Sequence, residues 1–306
     1  MKWTLIRALL RLLSLIPLAW LHVLATPVGQ LLSLLPWRKN TIIATNLELC
    51  FPELDDRQRR ALHRANLVAM TRLALETPAA SFWSKPKLLR SIRSVQGWEH
   101  VEQARREERS LLFVSGHIGN WELLTLYLSV HLPMVFLYRA PQSSGADRLI
   151  RDTRGRFGAE LAPSGSPAMR LILRQLASGG GVGLLCDQQP KQGEGVFAPF
   201  FGIEALTMTL VNRLVRHTGC QPLFIDCRRQ GPGHGFAIHI EPADPALGAD
   251  DIRLATTTMN QAVETMVRRA PEQYLWIYKR FGLRPPGEPP LYPARRRRVA
   301  NDGNPT

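Results

Sequence analysis

Hydrophobic positions are unevenly distributed along the chain. From Leu12 to Leu35, 24 residues pass without Asp, Glu, Lys or Arg, and most are Leu, Ile, Val, Ala or Trp. As one helix this run would extend roughly 36 Å, enough for a hydrocarbon core of about 30 Å. Pro17, His22, Pro27 and Gln30 interrupt it, so a kinked span, a re-entrant hairpin and two helices lying in the interface all satisfy the pattern. Beyond it, Asp55 or Asp56 caps an expected helix to about Thr77, with Leu62, Leu67, Leu73 and Leu75 on its apolar side and Pro78 stopping it.

The pattern then alternates. Strands are expected at Ser91–Val95, Ser110–Ser115, Met134–Tyr138, Glu160–Ala162 and Val182–Cys186. Helices are expected between them at Trp98–Arg106, Ala146–Arg154 and Pro167–Ser178. Leu111 to Val114 is wholly apolar, as a strand covered on both faces requires. A helix at Leu206–His217, strands Pro222–Cys227 and Gly235–Glu241 around the Gly231-Pro232-Gly233 turn, and a helix Ile252–Arg269 complete the series. Phe197 to Phe201, broken by Pro199, reads as a loop. The whole predicts an α/β fold, a mostly parallel or mixed central sheet flanked by helices, behind an N-terminal membrane-associated helical segment. The expected divisions are 1–38 for that segment, 39–293 for the α/β domain and 294–306 for a basic, disordered tail.

Composition narrows the partners. Lys and Arg number 39 against 25 Asp and Glu, a net charge of +14, which favours anionic lipid, phosphorylated substrates or nucleic acid. No zinc module, basic heptad helix or aromatic RNA-binding strand is present, so nucleic acid is set aside. Lys2, Arg7 and Arg11 resemble the basic start of a signal peptide, but the apolar run continues past the usual length and no small-x-small site follows, so retention is expected. Arg38 and Lys39 put charge on the far flank as well, leaving orientation open. Cys50, Cys186, Cys220 and Cys227 form no CxxC pair, and neither a disulfide framework nor a metal site is indicated.

The chemically informative stretch is Ser115-Gly116-His117-Ile118-Gly119-Asn120-Trp121-Glu122, which leaves the apolar strand and enters a helix at Leu123–Leu128. His117 can accept a proton near neutral pH, and a carboxylate can fix its tautomer. Five helical residues turn about 500°, so His117 must sit in the turn if Glu122 is to reach it. Asn120 suits the N-cap and puts Glu122 in the first helical turn. The bland alternative is a capping His and a Glu that complements the helix dipole.

These residues, with Tyr138-Arg139, Thr153-Arg154-Gly155-Arg156, Asp187, Val196-Phe197-Ala198-Pro199-Phe200-Phe201, Pro271 to Trp276 and Lys279-Arg280-Phe281, make a chain that resembles the bacterial lipid A late acyltransferases within the HxxxxD/E acyltransferase superfamily. The likeness implies transfer of a fatty acyl group from acyl carrier protein to a hydroxyl of a phosphorylated lipid A precursor, without metal or cofactor, at the cytoplasmic face of the bacterial inner membrane. It implies His117 as general base oriented by Glu122. Arg154 is the candidate for the oxyanion or an acceptor phosphate, and Arg139, Arg156, Asp187 and Asn120 are candidates for binding substrate. An acyl-CoA donor, or a lysophospholipid or mannosylated acceptor, is the alternative within the superfamily, and a membrane scaffold without catalysis is the alternative outside it. At Asp187-Gln188-Gln189-Pro190-Lys191 the chain departs from the family, several members reading Asp-x-Asp-Tyr-Gly-Pro there. Asp147 with Arg151 and Arg148 with Asp152 are expected to be ordinary i,i+4 pairs on a solvated helix face.

Overall fold

A computed structural model describes residues 2–293; the expected tail 294–306 lies outside them. The chain opens with α1 (Lys2–Leu13) and α2 (Leu18–Leu34), bent against each other by 109°. No single helix among the described residues is long and apolar enough to cross a membrane, though this bent pair passes that test by length and composition. The polar residues of the apolar run explain the arrangement. Pro17 begins α2, and His22 is buried with Leu21, Ala25 and Gly29 on the inner face. Trp20, Val23, Leu24, Val28, Leu31 and Leu34 stand exposed on the other.

Next come α3 (Arg38–Cys50), which the hydrophobic pattern did not announce, and α4 (Asp56–Ala80). Asp55 caps α4 in a reciprocal box with Gln58. The helix runs through Pro78 instead of ending before it. Proline in the last turn removes only the bond to the carbonyl of exposed Ala74, which water can satisfy. Helix α2 crosses α4 at Gly29, where an added Cβ would lie 2.5 Å from Val68 Cα.

The remainder is the expected α/β alternation: α5 (Lys85–Ser91), β1 (Ile92–Gln96), α6 (Trp98–Arg106), β2 (Leu111–Ser115), α7 (Trp121–His131), β3 (Met134–Tyr138), α8 (Ser144–Arg154), β4 (Glu160–Pro163), α9 (Ser166–Ala177) and β5 (Gly181–Leu185). After them come β6 (Gly195–Phe200), β7 (Ile203–Met208), α10 (Leu210–Thr218), β8 (Gln221–Arg229), β9 (Phe236–Pro242) and α11 (Ile252–Arg269). Seven strands form one sheet in the order β1-β9-β8-β2-β5-β3-β4. The five from β8 to β4 are parallel, and the β8–β9 hairpin reverses direction. Buried β2 lies between β8 and β5, so its carboxyl end opens at the middle of the sheet edge, where open α/β sheets place their ligands.

Two local expectations are corrected here. Phe197–Phe201 is not a loop: Gly195–Phe200 pairs with β7 as a separate two-stranded hairpin, Pro199 opposite Glu204. A strand with only one partner tolerates proline, because its missing N–H can face away from the ladder. The same pairing takes Leu206 to Met208 from the expected helix, so α10 starts at Leu210. Phe200 is core, packed near Tyr274 and Phe281. All four cysteines are buried free thiols, and burial pushes the pKa of each upward.

The backbone approach at Gly29 yields a test. Gly29→Leu must push α2 off α4 and is expected to reduce stability by about 1–3 kcal/mol, the range for overpacking. Exposed Leu31→Ala should leave the unfolding midpoint nearly unchanged; equal midpoints for both variants in thermal denaturation would show that the crossing is loose.

Candidate active site

β2 delivers the chain to a turn stitched into its surroundings by the main chain. The N–H of Gly119 bonds the Gln273 carbonyl at 3.0 Å, that of Asn120 the Cys227 carbonyl at 2.8 Å, and Leu275 donates to the His117 carbonyl at 3.1 Å. Gly119 has φ +61, and a Cβ there would meet the Cys227 carbonyl oxygen at 2.0 Å, so only glycine allows this approach. The clamping segment is itself held: Asn66 of α4 donates to the carbonyls of Glu272 and Tyr274, and Asn46 of α3 to those of Trp276 and Tyr278.

On this turn His117 Nδ1 lies 2.6 Å from Asp187 Oδ1, while its own backbone N–H donates to Asp187 Oδ2 at 2.9 Å. The Gln188 amide nitrogen is 3.2 Å from Nε2. Asp187 is an acceptor and the amide a donor, so the network assigns the ring proton to Nδ1 and turns the Nε2 lone pair toward the Gln188 amide. Trp121 stands edge-on to the imidazole, ring centres 4.9 Å apart. Burial raises the Asp187 pKa, but attraction to His117 and hydrogen bonds from it outweigh burial, and the carboxyl stays below its ordinary range. Buried Arg280 adds to this from a distance while donating to the Leu206 carbonyl and Thr207 Oγ1.

The expected direct contact between His117 and Glu122 is therefore corrected: both ring nitrogens face other groups. Glu122, in the first turn of α7, takes a bidentate pair from Arg154, whose Nε lies 2.7 Å from Oε2 and whose Nη2 bonds Oε1. Burial lowers the Arg154 pKa and Glu122 raises it by more, so the guanidinium is held charged. The spacing predicted that Glu122 would stand near the turn, but the separation of 70 residues hid Asp187 as the partner of His117.

The other expected site residues divide. Arg139 is exposed just past β3 and makes no ion pair among the described residues. Arg156 does not line the cavity beside His117: it donates to the Ala80 carbonyl at the end of α4 and to the Trp83 carbonyl just past it, lines a separate cavity with Arg7 and Arg11 of α1, and burial lowers its pKa to about 10. Asn120 is fully buried, accepting from Leu123 N as the expected N-cap and donating to Glu76, so it has no surface for a substrate. Asp147 pairs with Arg151 as expected, but Asp152 bonds Arg7 of α1, not Arg148. An apolar cavity of about 60 Å³ begins beside the turn, lined by Ser115, Trp121, Leu124, Phe136, Gly183 and Arg154.

Behind the turn lies a group that sequence reasoning missed. Glu76 of α4 is fully buried, with Oε1 2.5 Å from His22 Nε2 and also bonded by Arg229 Nε. Its Oε2 accepts from Arg229 Nη2 at 2.7 Å and from Asn120 Nδ2 at 3.1 Å. His22 Nδ1 accepts in turn from Gly233 N. No local signal separated Glu76 from the other polar residues of an amphipathic helix.

With this geometry in view, the likeness to known proteins is extensive. Residues 1–282 match the family described as bacterial lipid A biosynthesis acyltransferase. A lipid A biosynthesis palmitoleoyltransferase of Escherichia coli (strain K12) is 30% identical over 278 residues, covering 90% of each chain. A lauroyltransferase of the same strain is 29% identical over 279 residues with the same coverage. A myristoyltransferase is 27% identical over 247 residues, 79% of this chain and 75% of its own.

The Glu76 cluster predicts a pH dependence. Burial opposes its charge, but Arg229 and His22 outweigh burial and lower its pKa from 4.5 to about 2. Between these values the unfolded chain binds the extra proton, so this contribution is complete above the ordinary pKa and is lost as pH falls toward the folded one. Glu76→Gln should destabilise the protein at neutral pH by about 3–5 kcal/mol, since Arg229 is left buried and unpaired. It should also flatten the loss of stability in denaturant titrations between about pH 5 and pH 2. Parallel profiles for wild type and variant would show that Glu76 does not carry it.

Proposed function

Because the chain belongs to the bacterial lipid A biosynthesis acyltransferase family, we propose that it transfers a fatty acyl group from the thioester of acyl carrier protein to a hydroxyl of a phosphorylated lipid A precursor. The observation that carries this reading is the pairing of His117 with Asp187: Nδ1 is directed at the buried carboxylate, which leaves Nε2 as the basic nitrogen, met at 3.2 Å only by the Gln188 amide. In the proposed reaction Nε2 takes the proton of the acceptor hydroxyl as its oxygen attacks the thioester carbonyl. The collapse of the tetrahedral intermediate expels the thiolate, which the imidazolium proton neutralises. A thioester is an activated acyl donor with a good leaving group, so the step calls for no metal or cofactor.

Glu122 serves this site through Arg154. With Nε and Nη2 engaged by the carboxylate, the guanidinium is fixed in one plane in the wall of the apolar cavity. From there it can donate to the developing oxyanion or to an acceptor phosphate. The cavity wall includes Trp121, the ring that stands against His117, so apolar surface borders the base on that side. Arg139 remains the second phosphate candidate. The exposed apolar face of α2 supports residence on the bacterial inner membrane with the α/β domain at the cytoplasmic face, the bent pair α1–α2 lying in the interface.

His117→Ala is expected to lower turnover by about 10²-fold or more without unfolding the protein. Mass spectrometry of lipid A from cells that carry only this variant should show loss of one acyl chain; unchanged lipid A would sink the assignment of His117. Arg154 gives a sharper discrimination. Lysine keeps the charge but cannot engage Glu122 through two nitrogens and still present a third donor, so Arg154→Lys should reduce kcat by about tenfold or more. Arg148→Lys, at an exposed position, should change it little. Equal, small effects at both positions in purified-enzyme kinetics would remove Arg154 from the reaction.

A further inference from the structure

A second cavity, of about 420 Å³, lies between α2, α4 and the start of the β8–β9 connection, lined by Thr26, Gln30, Arg64, Arg72, Arg229 and Glu272 among others. The charges around it do not cancel. Arg229 is neutralised by Glu76, whereas Arg64 and Arg72 have no carboxylate within ion-pair distance among the described residues. Arg72 reaches Thr26 Oγ1 through Nη2, its Nε is buried without a partner, and Nη1 makes no protein hydrogen bond among the described residues. Burial and the neighbouring Arg229 lower its pKa, opposed only in part by Glu76, so its charge is under-compensated. Glu272, an acid on the lining, accepts from Gln273 Nε2, and two unpaired cations stand against it.

The cavity is separate from the proposed acyl-transfer cleft. The Pro271–Trp276 segment runs between them: Leu275 bonds the His117 carbonyl, while Glu272 and Gln273 line the cavity. Its position also selects among anions. Thr26 and Gln30 belong to α2, and beside them on the same helix Val23, Leu24, Val28, Leu31 and Leu34 are exposed. Arg57 and Arg60 continue the basic side of α4 beyond the cavity, exposed and without ion pairs among the described residues. A cationic cavity directly bordering an apolar helix face matches a molecule with a phosphate at one end and hydrocarbon at the other.

We infer that this cavity seats the phosphate of an anionic phospholipid headgroup on Arg64 and Arg72, with the lipid's acyl chains along the exposed face of α2. The inference rests on the membrane residence proposed above and goes beyond it, because it assigns a discrete lipid site that is not the acceptor's. Guanidinium groups suit such a seat, since two parallel N–H donors fit a phosphate's oxygens, and Arg72 is already oriented by Thr26. The seat shares Arg229 with the Glu76 cluster, so an occupied headgroup would lie one ion pair from the Asn120 cap of α7.

The test is co-sedimentation of the purified full chain with vesicles of phosphatidylcholine alone and of phosphatidylcholine mixed with phosphatidylglycerol. Wild type is expected to bind both and to prefer the mixed vesicles. Arg64→Gln with Arg72→Gln should lose more than the roughly fivefold per residue that any basic side chain near an anionic surface contributes, while binding to phosphatidylcholine stays unchanged. Arg57→Gln with Arg60→Gln, the same charge removed outside the cavity, should lose only that general contribution. Equal losses for the two pairs would overturn the discrete site in favour of a diffuse basic surface. Inorganic phosphate, compared with chloride at matched ionic strength, should lower wild-type binding to mixed vesicles to the level of the Arg64/Arg72 variant and leave that variant unaffected. Phosphate that raises the wild-type melting temperature without any preference for phosphatidylglycerol would assign the seat to a soluble phosphate and overturn the lipid. Failure of wild type to bind either vesicle would fell the membrane reading itself, a result distinct from loss of the anionic preference alone.

Discussion

The carboxylate of Glu76 is the constraint on which the arrangement of the site depends. An ionised group with no exposure to water is tolerated only when its lone pairs are filled, and here they are filled from three other elements. His22 comes from α2, Arg229 from the end of β8 and Asn120 from the cap of α7. Each donor fixes something different. His22 sets the rotation of α2 and thereby which side of that helix remains apolar and exposed. Arg229 holds the end of the strand that borders β2. Asn120 joins the helix cap to the cluster, so the turn bearing His117 inherits the position of the whole.

One geometric consequence links this cluster to the membrane reading. Because β8 is parallel to β2, the β8–β9 connection lies at the sheet edge where His117 emerges. Gly233 of that connection donates to His22, and a Cβ on it would meet Ala19 at 2.8 Å. Helix α2 is therefore drawn to the edge that carries His117, not to the opposite end of the sheet. A protein resting on the exposed face of α2 holds this edge near the bilayer, where a lipid acceptor would be found.

The features legible in the sequence are those encoded within a few residues. The apolar run of β2, the Asn120 cap, a cap at Asp55 and the strand-helix alternation each have a local cause, and each is present. What escaped depends on distant partners. Pro199 looked like a strand breaker because its freedom from a second neighbour cannot be known locally, and Leu206 had an apolar context that fits helix or strand equally. Glu122 illustrates the limit most clearly. Five residues from His117, it was the nearest available acid, yet the helix cap that brings it close also points it at Arg154, 32 residues away. Arg156, two residues beyond Arg154, serves a different helix end because the short helical turn Gly155–Phe157 rotates it out of line.

The substitution in the segment after β5 now has a physical setting. Family members that read Asp-x-Asp-Tyr-Gly-Pro carry a second acid two residues after the first, whereas Gln188 and Gln189 follow Asp187 here. Gln189 is anchored through its backbone N–H to the Tyr278 hydroxyl, and the Gln188 amide meets His117 Nε2 at 3.2 Å. A neutral amide donating to Nε2 reinforces the tautomer that Asp187 selects, and no second carboxylate competes for the imidazole from that side. The same amide occupies the place that an acceptor hydroxyl needs. In the proposed reaction Gln188 must therefore turn aside as the acceptor arrives, and its donor is then available to the acceptor's own oxygens. On the proposed reaction, this segment bears on which hydroxyl is presented, while the His117–Asp187 pair bears on whether it is deprotonated.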